Sequence, residues 1–134
     1  MKNTKIMIAS GPVIVEDNKV LLNISSDDAF WKFCGGKTKE DEDLQETAHR
    51  RAKEEMGIEI EILDENPFIL HTTKILEDGE KIDVILVHYL AKRIGEITPG
   101  DDIGEWKWIP LAELEAEDLA PNIMPVLDYF GFIE

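Results

Sequence analysis

Between Gly36 and Ile58 the chain runs from a glycine pair through a short polar loop into a helix-forming segment that ends Lys53-Glu54-Glu55-Met56-Gly57. This stretch constrains the fold more than any other. Residues 43–56 are rich in Glu, Gln, Lys, Arg and Ala, mostly good helix formers. Gly57 stands where glycine most often closes a helix. Adjacent acids at a helix C-terminus oppose the dipole, which favours cations there. Two carboxylates held against that preference are candidate ligands for a hard cation such as Mg²⁺. Helical spacing sets Arg51 beside both, three residues from Glu54 and four from Glu55. A Glu-Glu pair on a helix is usually no more than solvated charge, so the surrounding spacing has to carry the argument.

The flanking segments read as strands. Residues 6–15 are largely apolar and β-branched, Glu16-Asp17-Asn18-Lys19 is a turn, and residues 20–24 continue as a second strand, so the start reads as a hairpin. A polar stretch, Ser25-Ser26-Asp27-Asp28, leads into a short aromatic strand over residues 30–34, which Gly35-Gly36 ends. After the helix, Ile58, Ile60 and Ile62 alternate with Glu59 and Glu61 at the period of a half-buried strand. Residues 68–76 and 82–92 form two more strands, and Asp78-Gly79 between them signals a hairpin. A loop around Pro99-Gly100-Asp101-Asp102 precedes a short strand at 105–109. Ile123, Val126, Leu127 and Phe130 then fall at helical spacing, which predicts a closing amphipathic helix over residues 121–130. Strands, helix, strands, helix with short links predict an α/β fold with a mixed sheet between helices.

With 134 residues, 43% of them hydrophobic, the chain suffices for one core, so residues 1–134 are expected to form a single domain. The formal charge of −15, from 29 acidic and 14 basic residues, argues against binding to nucleic-acid backbones. Small phosphorylated ligands remain compatible when a metal lies between carboxylates and phosphates. No apolar run approaches a membrane span. The first residues carry no secretory pattern. The single cysteine, Cys34, excludes an intrachain disulfide and fits a reducing, cytoplasmic setting. Oligomeric state is open, a homodimer included.

Taken together, Gly36, Glu42, Arg50, Glu54, Glu55, Gly57 and Ile58 resemble the Nudix box, G-x5-E-x7-R-E-U-x-E-E-x-G-U, where U is a bulky aliphatic residue. Trp31-Lys32-Phe33-Cys34-Gly35 is similar to the strand that leads into that box, with Cys34 where proline is common. The segment from Trp108 to Leu114 also resembles the family. The resemblance implies a Nudix α/β/α sandwich, and Mg²⁺ or Mn²⁺ bound by Glu54, Glu55 and the Gly35 carbonyl, with Glu42 supporting the metal shell. It implies that Arg50 orients a glutamate and that Asn122 contacts the base. The activity it implies is hydrolysis of a nucleoside diphosphate linked to another moiety, with a nucleoside triphosphate cleaved to monophosphate and pyrophosphate as the leading case. The downstream marks of ADP-ribose or dinucleoside polyphosphate enzymes are not evident; Lys74-Ile75-Leu76 occupies that neighbourhood.

Two positions depart from the pattern. Ala52 replaces the bulky aliphatic at a small cost in packing. Arg51 stands where family enzymes usually carry a glutamate that serves as general base or metal ligand. An arginine accepts no proton at accessible pH. Two unit charges about 4 Å apart at an effective dielectric near 20 interact by roughly 4 kcal/mol, so Arg51 disfavours a metal unless it swings toward phosphate or pairs with Glu55. One reading is an active hydrolase that recruits a base from Asp101, Asp102 or Glu105, with Glu105 preferred. The other is a nucleotide-binding module in which Arg51 grips phosphate. The tryptophans are expected in the core, and His49, His71 and His88 are expected to be structural or exposed.

Overall fold

The computed structural model describes residues 5–25 and 29–133. The first four residues and 26–28, most of the expected polar stretch, lie outside the described residues. Strand β1 (Ile6–Val13) runs parallel to β7 (Lys81–Ile94), with Ile6 opposite Asp83 and Val13 opposite Leu90. Strand β4 (Gly36–Lys37) flanks β1 on its other side, antiparallel. The long β7 takes two partners in succession: β6 (Phe68–Ile75) pairs with its first half and β5 (Glu59–Ile62) with its end, both antiparallel. The larger sheet is therefore mixed, as expected. A second sheet holds β2 (Val15–Glu16), β3 (Lys19–Ser25) and β8 (Ile103–Pro110).

Neighbouring residues on one strand feed opposite faces, and this alternation builds two cores. Val13, Val20, Leu22, Trp31, Phe33 and Ile109 pack with Ile123, Val126 and Leu127 of helix α2 (Ile123–Tyr129). Ile14, Leu21, Cys34, Val87 and Tyr89 pack with Ala48, Ala52 and Met56 of helix α1 (Leu44–Met56). The sheets are thus sandwiched between the helices. Ala52, small where a bulky residue was expected, is fully buried against that face. The amide of Asn23 is fully buried and finds no hydrogen-bond partner among the described residues.

Two expectations change. The first strand is not one arm of a hairpin with residues 20–24: β1 enters the larger sheet, the chain switches sheets at Ile14, and only β2 turns back onto β3. Val13 and Ile14 are both buried, on opposite sides, so the segment belongs inside a two-faced layer rather than at an edge. The tight turn at Asp17 and Asn18, both at positive φ (50° and 62°), matches the twist of a two-residue hairpin. Residues 30–34 also form no regular strand. Trp31 and Lys32 make one bridge each, to Leu119 and Asn23, because the segment is wedged between the end of β3 and residues 118–120.

Helix α1 has the ends its sequence predicts. The Asp43 carboxylate accepts from the Glu46 N–H at 2.8 Å and caps the N-terminus. Gly57 closes the helix at φ 67°, ψ 22°, its N–H donating to the Lys53 carbonyl. Residues 98–100 then fold back: Thr98 N–H donates to Met56 O at 2.7 Å and Gly100 N–H to Glu55 O at 2.9 Å. A side chain at Gly57 would be strained and would place a Cβ 2.7 Å from the Thr98 carbonyl oxygen. Gly57→Ala is therefore expected to lower unfolding stability by roughly 1–3 kcal/mol, read from urea denaturation. An unchanged midpoint would mean that this cap adjusts freely.

Candidate active site

Helix α1 turns Arg50, Arg51, Glu54 and Glu55 toward the segment that carries Gly35 and Gly36, and Glu42 joins them from the turn just before the helix. Arg50 grips Glu42 in a fork: Nε donates to Oε2 at 2.7 Å and Nη2 to Oε1 at 3.0 Å. Its Nη1 reaches Glu54 Oε1 at 2.5 Å and its Nη2 also donates to the Lys37 carbonyl. Glu42 receives two further bonds at Oε1, from Thr47 Oγ1 at 2.7 Å and from the Lys39 N–H at 3.1 Å. These donors hold its carboxyl at about 2, with the Arg50 contact contributing most. Glu42 thus fixes Arg50, and Arg50 fixes Glu54, a partly exposed carboxylate on the rim.

Glu55 is buried. Its Oε1 accepts from the Gly35 N–H at 2.7 Å and lies 3.4 Å from both Cys34 Sγ and Arg51 Nη2. Burial raises its pKa against the lowering pull of the Gly35 donor and of Arg51. Burial likewise pushes the Cys34 thiol well up, so it stays protonated and is no nucleophile. Arg51 spans the group: Nε donates to the Gly35 carbonyl at 3.3 Å, and Nη1 lies 3.5 Å from Glu54 Oε1. A Cβ at Gly36 would meet Arg51 Nε at 2.3 Å, so this glycine leaves the room the arginine occupies. Gly35 itself is pressed onto β1, where a Cβ on Gly11 would lie 2.6 Å from its Cα.

A cavity of about 280 Å³ opens beside this cluster and shares Gly35 and Gly36 with it. Its walls include Phe30, Lys32, Phe33, His88 and Asn122. Asn122 does not cap α2 with its side chain. Instead its Nδ2 lies 2.8 Å from His88 Nε2, while His88 Nδ1 faces the Phe68 carbonyl at 3.4 Å. Burial pushes the pKa of His88 down to about 4, so its imidazole is neutral near pH 7 and accepts from the amide. The structure sets Asn122 on the cavity wall and makes His88, expected to be structural or exposed, the group that orients its amide. The signal for His88 was its place on β7, with Val87 buried on one side and Tyr89 on the other.

The remaining candidates separate. Glu105 is exposed on β8 opposite Ile24, in the smaller sheet. Asp101 and Asp102 directly follow Gly100, whose N–H is bonded to the end of α1. Trp31 is buried in the α2-side core with Lys107 Nζ 4.6 Å from its ring, while Trp106 and Trp108 pack against the α1-side core. His71 pairs with Asp83 at 2.8 Å on the surface, and His49 is exposed.

A layered α/β fold with an acidic helix end beside a ligand-sized cavity defines the class, and the comparisons give its family. The NUDIX domain model matches residues 7–130, and the chain belongs to that family of hydrolases acting on phosphorus anhydrides. No curated protein matches the sequence. Among solved structures, a NUDIX hydrolase from Nitrosomonas europaea is similar at 18% identity and TM-score 0.79, covering 94% of this chain and 88% of that one. The E. coli ORF135 protein is similar at 26% identity and TM-score 0.69, covering 95% and 89%. The NUDIX domain of Shewanella oneidensis NrtR, complexed with ADP ribose, is similar at 22% identity and TM-score 0.68, covering 96% and 86%.

The family works with divalent metal. Among the described residues no three His, Cys, Asp or Glu side chains gather into a metal cluster. The Gly35 carbonyl, Glu54 and Glu55 nevertheless converge on one cationic group, and this all-oxygen, anionic set fits a hard divalent ion that keeps several waters.

The His88 environment yields a pH prediction. Its folded-state pKa, about 4, lies below the value near 6.5 of an unfolded histidine, so between these values the unfolded chain binds the extra proton. Stability is therefore complete above about pH 6.5 and falls by up to roughly 3 kcal/mol toward pH 4. His88→Gln should flatten that limb of a stability-against-pH curve measured by urea denaturation. A curve of unchanged slope in the variant would assign the loss to other groups.

Proposed function

We propose that this chain hydrolyses a nucleoside diphosphate linked to another moiety, foremost a nucleoside triphosphate cleaved to monophosphate and pyrophosphate, with Mg²⁺ or Mn²⁺. The observation that carries this reading is the continuity of the cavity with the Gly35–Glu54–Glu55 cluster through Gly35 and Gly36. The base and sugar enter between Phe30, Phe33 and Asn122, where aromatic faces and one oriented amide give a base both stacking and hydrogen bonds. Lys32 on the wall, and Arg51 beside the wall residues Gly35 and Gly36, offer cations to phosphate.

When bound, the divalent ion neutralises phosphate oxygens and eases ionisation of the attacking water. Glu54 and Glu55 would hold it together with the Gly35 carbonyl. Arg50 positions Glu54, and Glu42 positions Arg50. The proton acceptor is an acid of residues 101–105: Glu105 on β8, or Asp101 or Asp102 on the segment bonded to the end of α1. The ligand is thus a small nucleotide rather than a nucleic acid, and the setting is cytoplasmic, in keeping with one buried free thiol.

A second reading has its own observation. Arg51 touches the Gly35 carbonyl, Glu54 and Glu55 together, which suits a module that binds a nucleotide without cleaving it. The NrtR domain similar to this chain is described as a complex with ADP ribose.

The test is a panel of nucleoside triphosphates, ADP-ribose and dinucleoside polyphosphates with Mg²⁺ or Mn²⁺, with products quantified. Metal-dependent turnover is expected, reduced at least about 10²-fold in Glu55→Gln and about 10²–10⁴-fold when the proton acceptor is replaced, as Glu105→Gln, Asp101→Asn or Asp102→Asn. Asn122→Ala should raise KM with little change in kcat. Ligand recovered intact from the native protein, with turnover appearing in Arg51→Glu, would select the binding module instead.

A further inference from the structure

We propose that the Arg51 guanidinium is a tethered cation that competes with the divalent ion for the cradle formed by the Gly35 carbonyl, Glu54 and Glu55. The inference rests on the reading of that cradle as the metal site and adds how this chain controls entry to it. Three observations carry it. First, one guanidinium reaches all three acceptors, at 3.3, 3.5 and 3.4 Å. Each contact is long for a hydrogen bond, so the group sits among the three acceptors rather than bound tightly to one.

Second, the place is shaped for it. The Arg51 side chain lies across Gly36 so closely that a Cβ there would meet its Nε, Cζ and Cδ at 2.3, 2.8 and 3.0 Å. Third, Arg51 is not needed to organise the acids. Arg50 alone ties Glu42 to Glu54, and Glu55 is anchored by the Gly35 N–H. With both arginines in place, the carboxylates of Glu42, Glu54 and Glu55 exceed the guanidiniums by a single negative charge. A divalent cation that enters without displacing Arg51 meets a like charge within a few ångströms, in surroundings where burial has already cost Glu55 its hydration. Arg51 is partly exposed and on a flexible stem, so it can leave toward solvent or toward an anionic ligand. The empty-handed protein therefore binds metal weakly, because its own side chain must first be moved aside.

The experiment measures Mn²⁺ binding to ligand-free protein by electron paramagnetic resonance, with calorimetry as a check, for the native chain, Arg51→Gln and Arg51→Lys. Thermal melts confirm that each variant is folded. Arg51→Gln is expected to bind Mn²⁺ roughly tenfold or more tightly than the native protein, since losing one like charge at this range exceeds the energy of a tenfold change. Arg51→Lys keeps the charge and should stay nearer the native affinity. In Arg51→Ala, millimolar guanidinium added in solution should weaken Mn²⁺ binding competitively and leave it unchanged in the native protein. Equal affinities in native and Gln proteins, with metal-dependent turnover intact, would overturn the competition and leave the hydrolase reading standing. No Mn²⁺ binding in any of them, with no turnover, would overturn both.

Discussion

A buried carboxylate bonded to a backbone N–H ties the site to the fold. Glu55 leaves helix α1 pointing inward, and its Oε1 takes the Gly35 N–H at 2.7 Å. Hydrogen bonds to a charged group are worth about 1.5–3 kcal/mol, and here the bond opposes in part the desolvation that raises the pKa of the acid. The bond fixes the distance between the helix and the glycine loop. Gly11 continues the constraint beneath the loop, because only a residue without a side chain lets Gly35 lie on β1. The Gly35 carbonyl, Glu54 and the mouth of the cavity take their places from this contact.

The features fixed by local rules were those most legible in the sequence. Asp43 and Gly57 marked the two ends of α1 because capping acts within a few residues. The alternation of Ile58, Ile60 and Ile62 gave β5, and Asp78-Gly79 gave the β6–β7 turn for the same reason. Long-range partners were less legible. Residues 6–15 and 20–24 look like a hairpin, yet β1 pairs in parallel with β7, some 77 residues away. A β-branched run apolar on both faces is compatible with either, and only the burial of Val13 and Ile14 on opposite sides decides. His88 is structural, as expected, but its neutrality and its hold on Asn122 were not legible, since they arise from groups contributed by β6, β7 and the turn before α2.

The overall charge of −15 runs against an anionic ligand, so the local arrangement must reverse it. Arg50 is absorbed by Glu42 and Glu54, and Arg93 by Glu16, in a forked pair at 2.9 Å that joins β7 to β2. Arg51 is held by longer contacts, at 3.3–3.5 Å, beside Gly35 and the two glutamates of the helix end.

Arg50 and Arg51 are adjacent in sequence but do unlike work, and helix geometry is the reason. Successive residues on an α-helix point about 100° apart. Arg50 therefore reaches back over the first turn to Glu42, while Arg51 reaches the glycine loop. Each finds Glu54 on its own side, because that residue lies four positions from one and three from the other. Exchanging an acid for arginine at position 51 thus leaves the framework of α1 intact: the cap, the Glu42 fork and the Glu55 anchor involve no atom of residue 51's side chain. What the exchange alters is the charge beside the Gly35 carbonyl, Glu54 and Glu55, so the fold is kept while the electrostatics on which the proposed competition turns are changed.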